Sequence, residues 1–526
     1  MLTRLLTSAA VLGLSAGIAA ADYKLTILHT NDIHSRIESI NKYDSTCDAD
    51  SEAEGKCFGG VARIKTMVDA RRAALDGQNV LLLDAGDPFQ GSLFYTTYKG
   101  AAEAEFMEAI GYDVMAVGNH EFDDGPAGLA GFVDAVSFPV ISGNLDLSAS
   151  EELNGKVGNH VVLELGGQKI GIVSALATDT VETSSPGDDV VFQDEITSLT
   201  ADVAALQEQG VNIIIALTHV GLSKDLEIAA QVPGLDVVVG GHSHTLLAND
   251  NDRAAGPYPT MVGDVPVVQA YAYSKYLGEL DVVFDDDGQV ISAQGAPILL
   301  DASVVPDADM AARVAEMGAP IEEMKTRVVA DAAQVIGGDR SICRAQECTM
   351  GNLVADAMLD AVADQGVTIA IQNGGGLRAS IDIGPITMGE VLTVLPFQNT
   401  LATFDIDGAG LIAALENGVS QVEEGAGRFP QVAGMAFAWD PAQPAGQRIV
   451  SVEVASEDGF VPLDPDATYQ VVTNNYVRNG GDGYAMFAGD DRNAYDFGPD
   501  LADVTAAYLA ANAPYQPYTD GRIRQK

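Results

Sequence analysis

Short apolar runs alternating with helix-like stretches predict a mixed α/β protein with more than one domain. The chain has 526 residues, enough for two or three separately cored domains. From Tyr23 to about Leu300, runs of Val, Ile and Leu recur between segments of helical composition. After about residue 336 the alternation restarts, and all seven histidines lie before that point.

Taken in order, Met1-Leu2-Thr3-Arg4, an apolar stretch over 5–18 and Ala19-Ala20-Ala21 form the pattern of a cleaved secretory leader, residues 1–21. Buried strands are predicted over 24–29, 79–83, 114–117, 213–217 and 237–239, because unbroken aliphatic runs suit sheets covered on both faces. In 138–142, Pro139 confines a strand to its start or to a sheet edge. Helices are predicted over 61–75, 103–110 and 196–209, and a hairpin over 160–175 that turns at Gly166-Gly167. A first domain over 22–300 follows. A helical stretch over 306–329, inside a 301–335 linker, bridges to a second domain over 336–526 and is the expected hinge. That domain reads as helix 350–363, strand 368–372, Gly-rich 373–378, helix 409–418, strands 450–454 and 469–474, then Asn479-Gly480-Gly481-Asp482-Gly483.

The net charge of −47 argues against nucleic-acid or anionic-membrane partners, which need a basic footprint. After the leader no segment approaches the roughly 20 apolar residues that spanning a membrane needs. Cys47 and Cys57, then Cys343 and Cys348, are closely spaced and even in number, which in an exported chain favours two local disulfides. Three connectivities exist, and nearest-neighbour pairing is expected.

Five of the seven histidines fall in four short motifs at the ends of strand-like runs: Asp32-Ile33-His34, Gly118-Asn119-His120-Glu121-Phe122-Asp123, Thr218-His219 and Gly240-Gly241-His242-Ser243-His244. Ala85-Gly86-Asp87 adds a carboxylate after another such run. Open α/β folds place their ligands at strand ends, and mixed imidazole and carboxylate donors suit borderline divalent ions. Asp32 and His34, two apart, point to the same side of an extended segment and can grip one ion, with His244 returning to it. Asp87 can bridge to a second ion served by Asn119, His219 and His242. His120, next to a ligand, is better placed to stabilise developing charge or protonate a leaving oxygen, with Asp123 fixing its tautomer. Two such ions are the usual equipment for phosphate-ester hydrolysis. His29 and His160 fit no motif and read as core or surface residues.

In the second half, Arg344 sits inside Cys343-Arg344-Ala345-Gln346-Glu347-Cys348, and Arg378 ends Asn373-Gly374-Gly375-Gly376-Leu377-Arg378. Two guanidiniums placed on such loops in so acidic a chain point to an anionic substrate, although each alone also fits a structural ion pair. Phe397 and Tyr476 fit core filler singly, but as a pair they can sandwich a flat base. Asp482 can accept hydrogen bonds from two ribose hydroxyls.

Asp32-x-His34, Gly86-Asp87, Gly118-Asn119-His120-Glu121, His219 and Gly241-His242-x-His244 resemble the calcineurin-type metallophosphoesterase signature. Residues 81–100 (LLLDAGDPFQGSLFYTTYKG), with GNHEFDDG beyond, resemble more narrowly the 5′-nucleotidase/UDP-sugar hydrolase family and its ecto-5′-nucleotidase-like members. The sequence departs from close relatives at His244, where they often carry an amide residue, and this bears on metal preference. The resemblance implies a four-layer β-sandwich flanked by helices, followed by a mixed α/β substrate-binding domain. It implies that Arg344 and Arg378 hold phosphate, Asn373 helps hold the nucleoside, Phe397 and Tyr476 stack on the base and Asp482 binds ribose. It further implies catalysis at the domain interface, with the second domain swinging to deliver substrate.

The expected protein is an exported, periplasmic or secreted, 5′-nucleotidase with two divalent ions, zinc foremost and manganese or cobalt as alternatives. It would hydrolyse nucleoside 5′-phosphates through a metal-activated hydroxide. UDP-sugar or dinucleotide pyrophosphate hydrolysis and 2′,3′-cyclic phosphodiesterase action are the alternatives that keep the metals. A nucleotide-binding protein without catalysis is the remaining one, and the intact Asp87, Asn119, His120 and Asp123 argue against it. The polar C terminus, Gly521-Arg522-Ile523-Arg524-Gln525-Lys526, has no apolar lipid-anchor tail. Nothing in the sequence fixes the oligomeric state.

Overall fold

The computed structural model describes residues 22–526 apart from 43, 45, 179, 396, 457–458, 489–491 and 496–497, so the expected leader lies outside the described residues. Two six-stranded sheets make up the first domain. One runs Val290–Leu299, Tyr276–Phe284, Tyr23–Thr30, Val80–Asp84, Val114–Ala116, Val140–Ile141. The other runs Thr260–Val262, Val265–Val268, Val237–Val239, Ile213–His219, Gln168–Leu176, His160–Leu165. Tyr23–Thr30 pairs in parallel with Val80–Asp84 and antiparallel with Tyr276–Phe284.

The period of two along each strand decides the layering. Leu25, Ile27, Leu81 and Leu83 meet Ile170, Ile172, Ile213 and Ile215 in a core between the sheets. Their neighbours Leu28 and Leu82 face outward into a core shared with helices Val61–Ala74 and Ala101–Ile110. On the far side, Val173, Ile214 and Ala216 pack against Leu199, Val203 and Leu206 of helix Glu195–Glu208. The result is helix, sheet, sheet, helix, and continuous aliphatic strands are what two covered faces require. The hairpin turns at Gly166-Gly167 as expected, between His160–Leu165 and Gln168–Leu176.

Asp307 caps helix Ala308–Lys325 by accepting the Met310 N–H at 2.9 Å. Met310, Val314, Met317 and Ile321 of this helix bury into the first domain's outer core. The helix was expected to reach residue 329. It stops at Lys325, and Val328–Ala332 is instead a strand, antiparallel to Gly384–Thr387. Two consecutive β-branched residues, Val328 and Val329, favour a strand over another helical turn.

The second domain holds two four-stranded sheets. Leu401–Asp407, Thr468–Asn474, Ile369–Asn373 and Pro430–Ala433 form one; Gly459–Pro462, Ile449–Ser456, Met435–Trp439 and Ile523–Gln525 form the other. Helices Thr349–Ala361 and Leu501–Ala511 contribute to one core, and Gly408–Gly418 packs with Trp439 in a second. Both nearest-neighbour disulfides are formed, Cys47–Cys57 and Cys343–Cys348. Among the described residues no helix is long and apolar enough to cross a membrane.

His29 is fully buried, 2.8 Å from the Tyr258 hydroxyl, and burial lowers its pKa to about 3. His160 lies 3.4 Å from Asp202 at the surface of the hairpin. A methyl group at Gly278 would overlap the His29 ring. Gly278→Ala is therefore expected to destabilise the first domain by about 1–3 kcal/mol, read as a fall in Tm. An unchanged Tm would contradict this packing.

Candidate metal centre and substrate cleft

Each metal-type motif sits where a strand ends and the chain turns sharply. Asp32, His34, Asp87, His242 and His244 all have left-handed backbones, with φ of 52°, 49°, 59°, 75° and 49°. Such a conformation costs a non-glycine residue roughly 1–2 kcal/mol, and clustered cases mark functional sites. The turns bring together ligand atoms that lie within 4.8 Å of one another in overlapping groups: Asp32, His34 and His244; His34, Asp87 and His120; Asp87, His219 and His242. Asn119 joins through its Oδ1, 2.9 Å from His242 Nδ1 and 3.2 Å from His219 Nε2.

The orientation of the rings fits a metal. His34 Nδ1 donates to the Phe89 carbonyl at 3.1 Å and His219 Nδ1 to the Ala85 carbonyl at 2.7 Å. A carbonyl only accepts, so Nδ1 carries a proton in both rings and Nε2 is the nitrogen turned into the site, where loss of its own proton would free it to ligate an ion. There His34 Nε2 faces His244 Nε2 at 2.8 Å, a separation that needs a proton or a cation between the two nitrogens. Asn119 Nδ2 is buried without a hydrogen-bond partner, while its oxygen points at the imidazoles. Mixed nitrogen and carboxylate donors in one set around Asp32 and another around Asp87, linked by a third that contains His34 and Asp87, suit two divalent ions, with Asp87 able to serve both.

The charges agree. Burial opposes a charged His219, but the Asp87 carboxylate at 3.0 Å outweighs it and raises the imidazole to about 10. Burial and the neighbouring His244 hold His34 well below the usual imidazole range. Burial opposes the Asp87 charge as well, yet His219 and His120 hold its carboxyl well below the usual carboxylate range. Beside the cluster, His120 and Asp123 are joined across a short 3-10 turn, with Nδ1 to Oδ2 at 2.6 Å. Burial disfavours the His120 cation, but Asp123 and Asp87 outweigh it and raise the ring to about 9.

All six expected substrate residues line one cleft of about 870 Å³: Arg344, Asn373, Arg378, Phe397, Tyr476 and Asp482. Asp482 holds two of its neighbours in place, accepting from Asn373 Nδ2 at 2.7 Å and bonding the Tyr476 hydroxyl at 3.1 Å. The Arg378 guanidinium lies 5.4 Å from the centre of the Phe397 ring. A second cleft of about 810 Å³ contains His34, Asp87, His120, His242 and His244. The two clefts share Arg36, Tyr273, Gln398, Asn475 and Asn479, so they abut across residues from both domains.

Comparison with known proteins bears directly on this pair of clefts. Residues 25–246 match the family model described as calcineurin-like phosphoesterase, and residues 328–489 match that of the 5′-nucleotidase C-terminal domain. A 5′-nucleotidase of Diplobatis ommata is 40% identical over 96% of this chain and 90% of its own length. The chain belongs to the 5′-nucleotidase family. Among solved structures, a 5′-nucleotidase precursor from Thermus thermophilus is 41% identical over 96% of this chain and 99% of that one, with a TM-score of 0.63. Haemophilus influenzae NAD nucleotidase is 27% identical at the same coverage, with a TM-score of 0.76. The chain is a metal-dependent phosphoric monoester hydrolase, and membership of this family implies divalent ions.

Several residues that matter to this 5′-nucleotidase-type centre were not singled out from sequence. Glu121 follows His120 but points the other way, accepting the backbone N–H groups of Gly118 (2.7 Å), Asp87 (3.1 Å) and Phe89 (3.3 Å). Burial and the Asp87 carboxylate push it up to about 8. Its presence in the Gly-Asn-His-Glu run was the available signal. Asn31 donates to Asp32 Oδ2 at 2.6 Å, and the His242 N–H reaches both Asp32 oxygens at 3.0 Å. Gly118 has to be glycine because a side chain there would overlap Asp87. Glu121→Gln places an amide NH₂ against backbone donors and is expected to weaken divalent-ion affinity about 10–100-fold. Titration of the metal-free protein measures this, and unaltered affinity would refute the bracing role.

Proposed function

We propose that this chain is an exported 5′-nucleotidase that hydrolyses nucleoside 5′-phosphates to nucleoside and phosphate. The proposed architecture is a catalytic domain over 22–300, a hinge over 301–335 and a nucleotide-binding domain over 336–526. The observation that carries the reading is the abutting pair of clefts, one rich in imidazole and carboxylate, the other in arginine, aromatic rings and Asp482. Two local disulfides support export, since such bonds persist in oxidising compartments.

In this reading Asp32, His34 and His244 hold one ion, Asn119, His219 and His242 the other, and Asp87 serves both. Two divalent ions, zinc foremost and manganese or cobalt as alternatives, activate water and neutralise phosphate charge when bound. Arg344 and Arg378 orient the anionic group through directed N–H donors. Phe397 and Tyr476 hold the base between their rings, and Asp482 accepts hydrogen bonds from the ribose hydroxyls. His120, with Nδ1 occupied by Asp123, offers Nε2 to the leaving 5′-oxygen and gives it a proton as the P–O bond breaks.

A second reading, hydrolysis of a dinucleotide pyrophosphate, keeps the same residues and is supported by the likeness to the NAD nucleotidase of Haemophilus influenzae. Phosphate and nucleoside released from AMP, and the mononucleotides released from UDP-glucose, NAD and 2′,3′-cyclic AMP, measured after chelation and metal add-back, separate these. Metal-dependent release from AMP with adenosine as co-product is the expected result. Turnover of the other substrates with none of AMP would overturn the monophosphate assignment.

His120→Ala is expected to lower kcat by about 10²–10⁴-fold with metal content retained. Loss of the metals instead would reassign His120 as a ligand. Arg378→Ala is expected to raise KM about 10–100-fold, the loss of a charged hydrogen-bonding group, with kcat less affected. An unchanged KM would remove Arg378 from the phosphate site.

A further inference from the structure

The Asp123 carboxylate is held from three separate segments. His120 Nδ1 reaches Oδ2 at 2.6 Å, Gln90 Nε2 donates to the same oxygen at 3.2 Å, and Ser184 Oγ donates to Oδ1 at 2.8 Å. Gln90 lines the metal-side cleft and follows Asp87 on a left-handed backbone of φ 63°. Ser184 comes from 61 residues downstream, on a turn with no expected part in the site. It is buried, at 8% exposure, and its own N–H donates to the Thr180 carbonyl at 3.0 Å. Thr180 is tied in turn to the Ala177 carbonyl at 2.7 Å through its hydroxyl, one residue beyond strand Gln168–Leu176. The hydroxyl of Ser184 is thus referenced to the sheet that also carries His219 at the end of strand Ile213–His219.

A carboxylate bonded through one oxygen can rotate about its terminal torsion, which is broad and nearly two-fold. With Oδ2 shared by His120 and Gln90 and Oδ1 taken by Ser184, both oxygens have fixed partners and the plane is set. The plane sets the direction in which Asp123 receives the His120 Nδ1–H, and so the direction of His120 Nε2. We propose that Ser184 is a positioning residue for the hydrolysis, locking the Asp123 carboxylate so that His120 is aimed at the leaving oxygen. This rests on the role proposed above for the His120–Asp123 pair. Ser184 touches neither substrate nor donor cluster in this account. It acts through Asp123 alone, so its contribution should vanish when Asp123 can no longer orient His120.

A double-mutant cycle on the full metal-loaded chain tests this, with kcat and KM for AMP, metal content and Tm measured on Ser184→Ala, Ser184→Thr, Asp123→Asn and the Ser184→Ala/Asp123→Asn pair. Ser184→Ala is expected to lower kcat about ten-fold at unchanged KM and metal content, the size typical of lost outer-shell support. Ser184→Thr, which keeps the hydroxyl, should restore most of that loss. In the Asp123→Asn background, Ser184→Ala should change kcat by less than about two-fold, because coupled residues are non-additive. Wild-type kcat in Ser184→Ala, a loss that multiplies with that of Asp123→Asn, or failure of Ser184→Thr to rescue would each overturn the proposal while leaving the His120–Asp123 reading intact. Full activity in Asp123→Asn would overturn the pair reading and the Ser184 proposal with it.

Discussion

The Asp87 carboxylate lies where both halves of the donor cluster meet, and the surrounding backbone is arranged to keep it there. Its Oδ1 accepts the His120 N–H at 2.9 Å while Oδ2 faces His219 at 3.0 Å and His34 at 3.8 Å. A carboxylate at 2% exposure is costly unless its charge is answered. Imidazoles answer it on one side, and the Glu121 brace fixes the Asp87 N–H and the facing Gly118 N–H. The close approach of Gly118 and the left-handed backbone at Asp87 follow from the same requirement. Two facing sheets supply the rigid frame, since Val80–Asp84 and Ile213–His219 run towards the carboxylate from opposite layers.

The two clefts meet at the junction between domains. Among the described lining residues, the metal-side cleft has one ring other than its imidazoles, Tyr273, and the other cleft has no histidine. Arg36 lies on the shared wall: its Nη1 is tied to the His34 carbonyl at 3.2 Å and its guanidinium lies 4.9 Å from the centre of the Tyr273 ring. A substrate that fills both clefts therefore passes a positive group in a chain of net charge −47, where cations are scarce. An anionic ligand is the kind that such a shared wall favours.

Much of this was legible in the sequence, for identifiable reasons. Strand Val237–Val239 appears at its expected bounds and strand Tyr23–Thr30 within a residue of them, because uninterrupted aliphatic runs have few structural alternatives. The motif histidines converge because each motif ends a strand of one of two facing sheets. The antiparallel strands Tyr276–Phe284 and Val290–Leu299 were not anticipated: Glu279, Asp281 and the glycines interrupt their apolar runs. The two domains also meet through residues such as Gln398, Asn475 and Asn479, whose residue types carry no periodic signal. Ser184 was invisible for a related reason, since its role depends on a turn geometry and on Asp123, 61 residues away in sequence. Glu121 shows the reverse case, a visible motif residue whose side chain supports the ligand loop instead of entering the site.

The most direct test of the central claim is a crystal structure of the zinc-loaded protein with anomalous scattering measured at the zinc edge. The account predicts two zinc peaks roughly 3.5–4 Å apart with an Asp87 oxygen between them, the spacing of two-metal phosphoesterase sites. One peak, or two peaks that do not share Asp87, would contradict it.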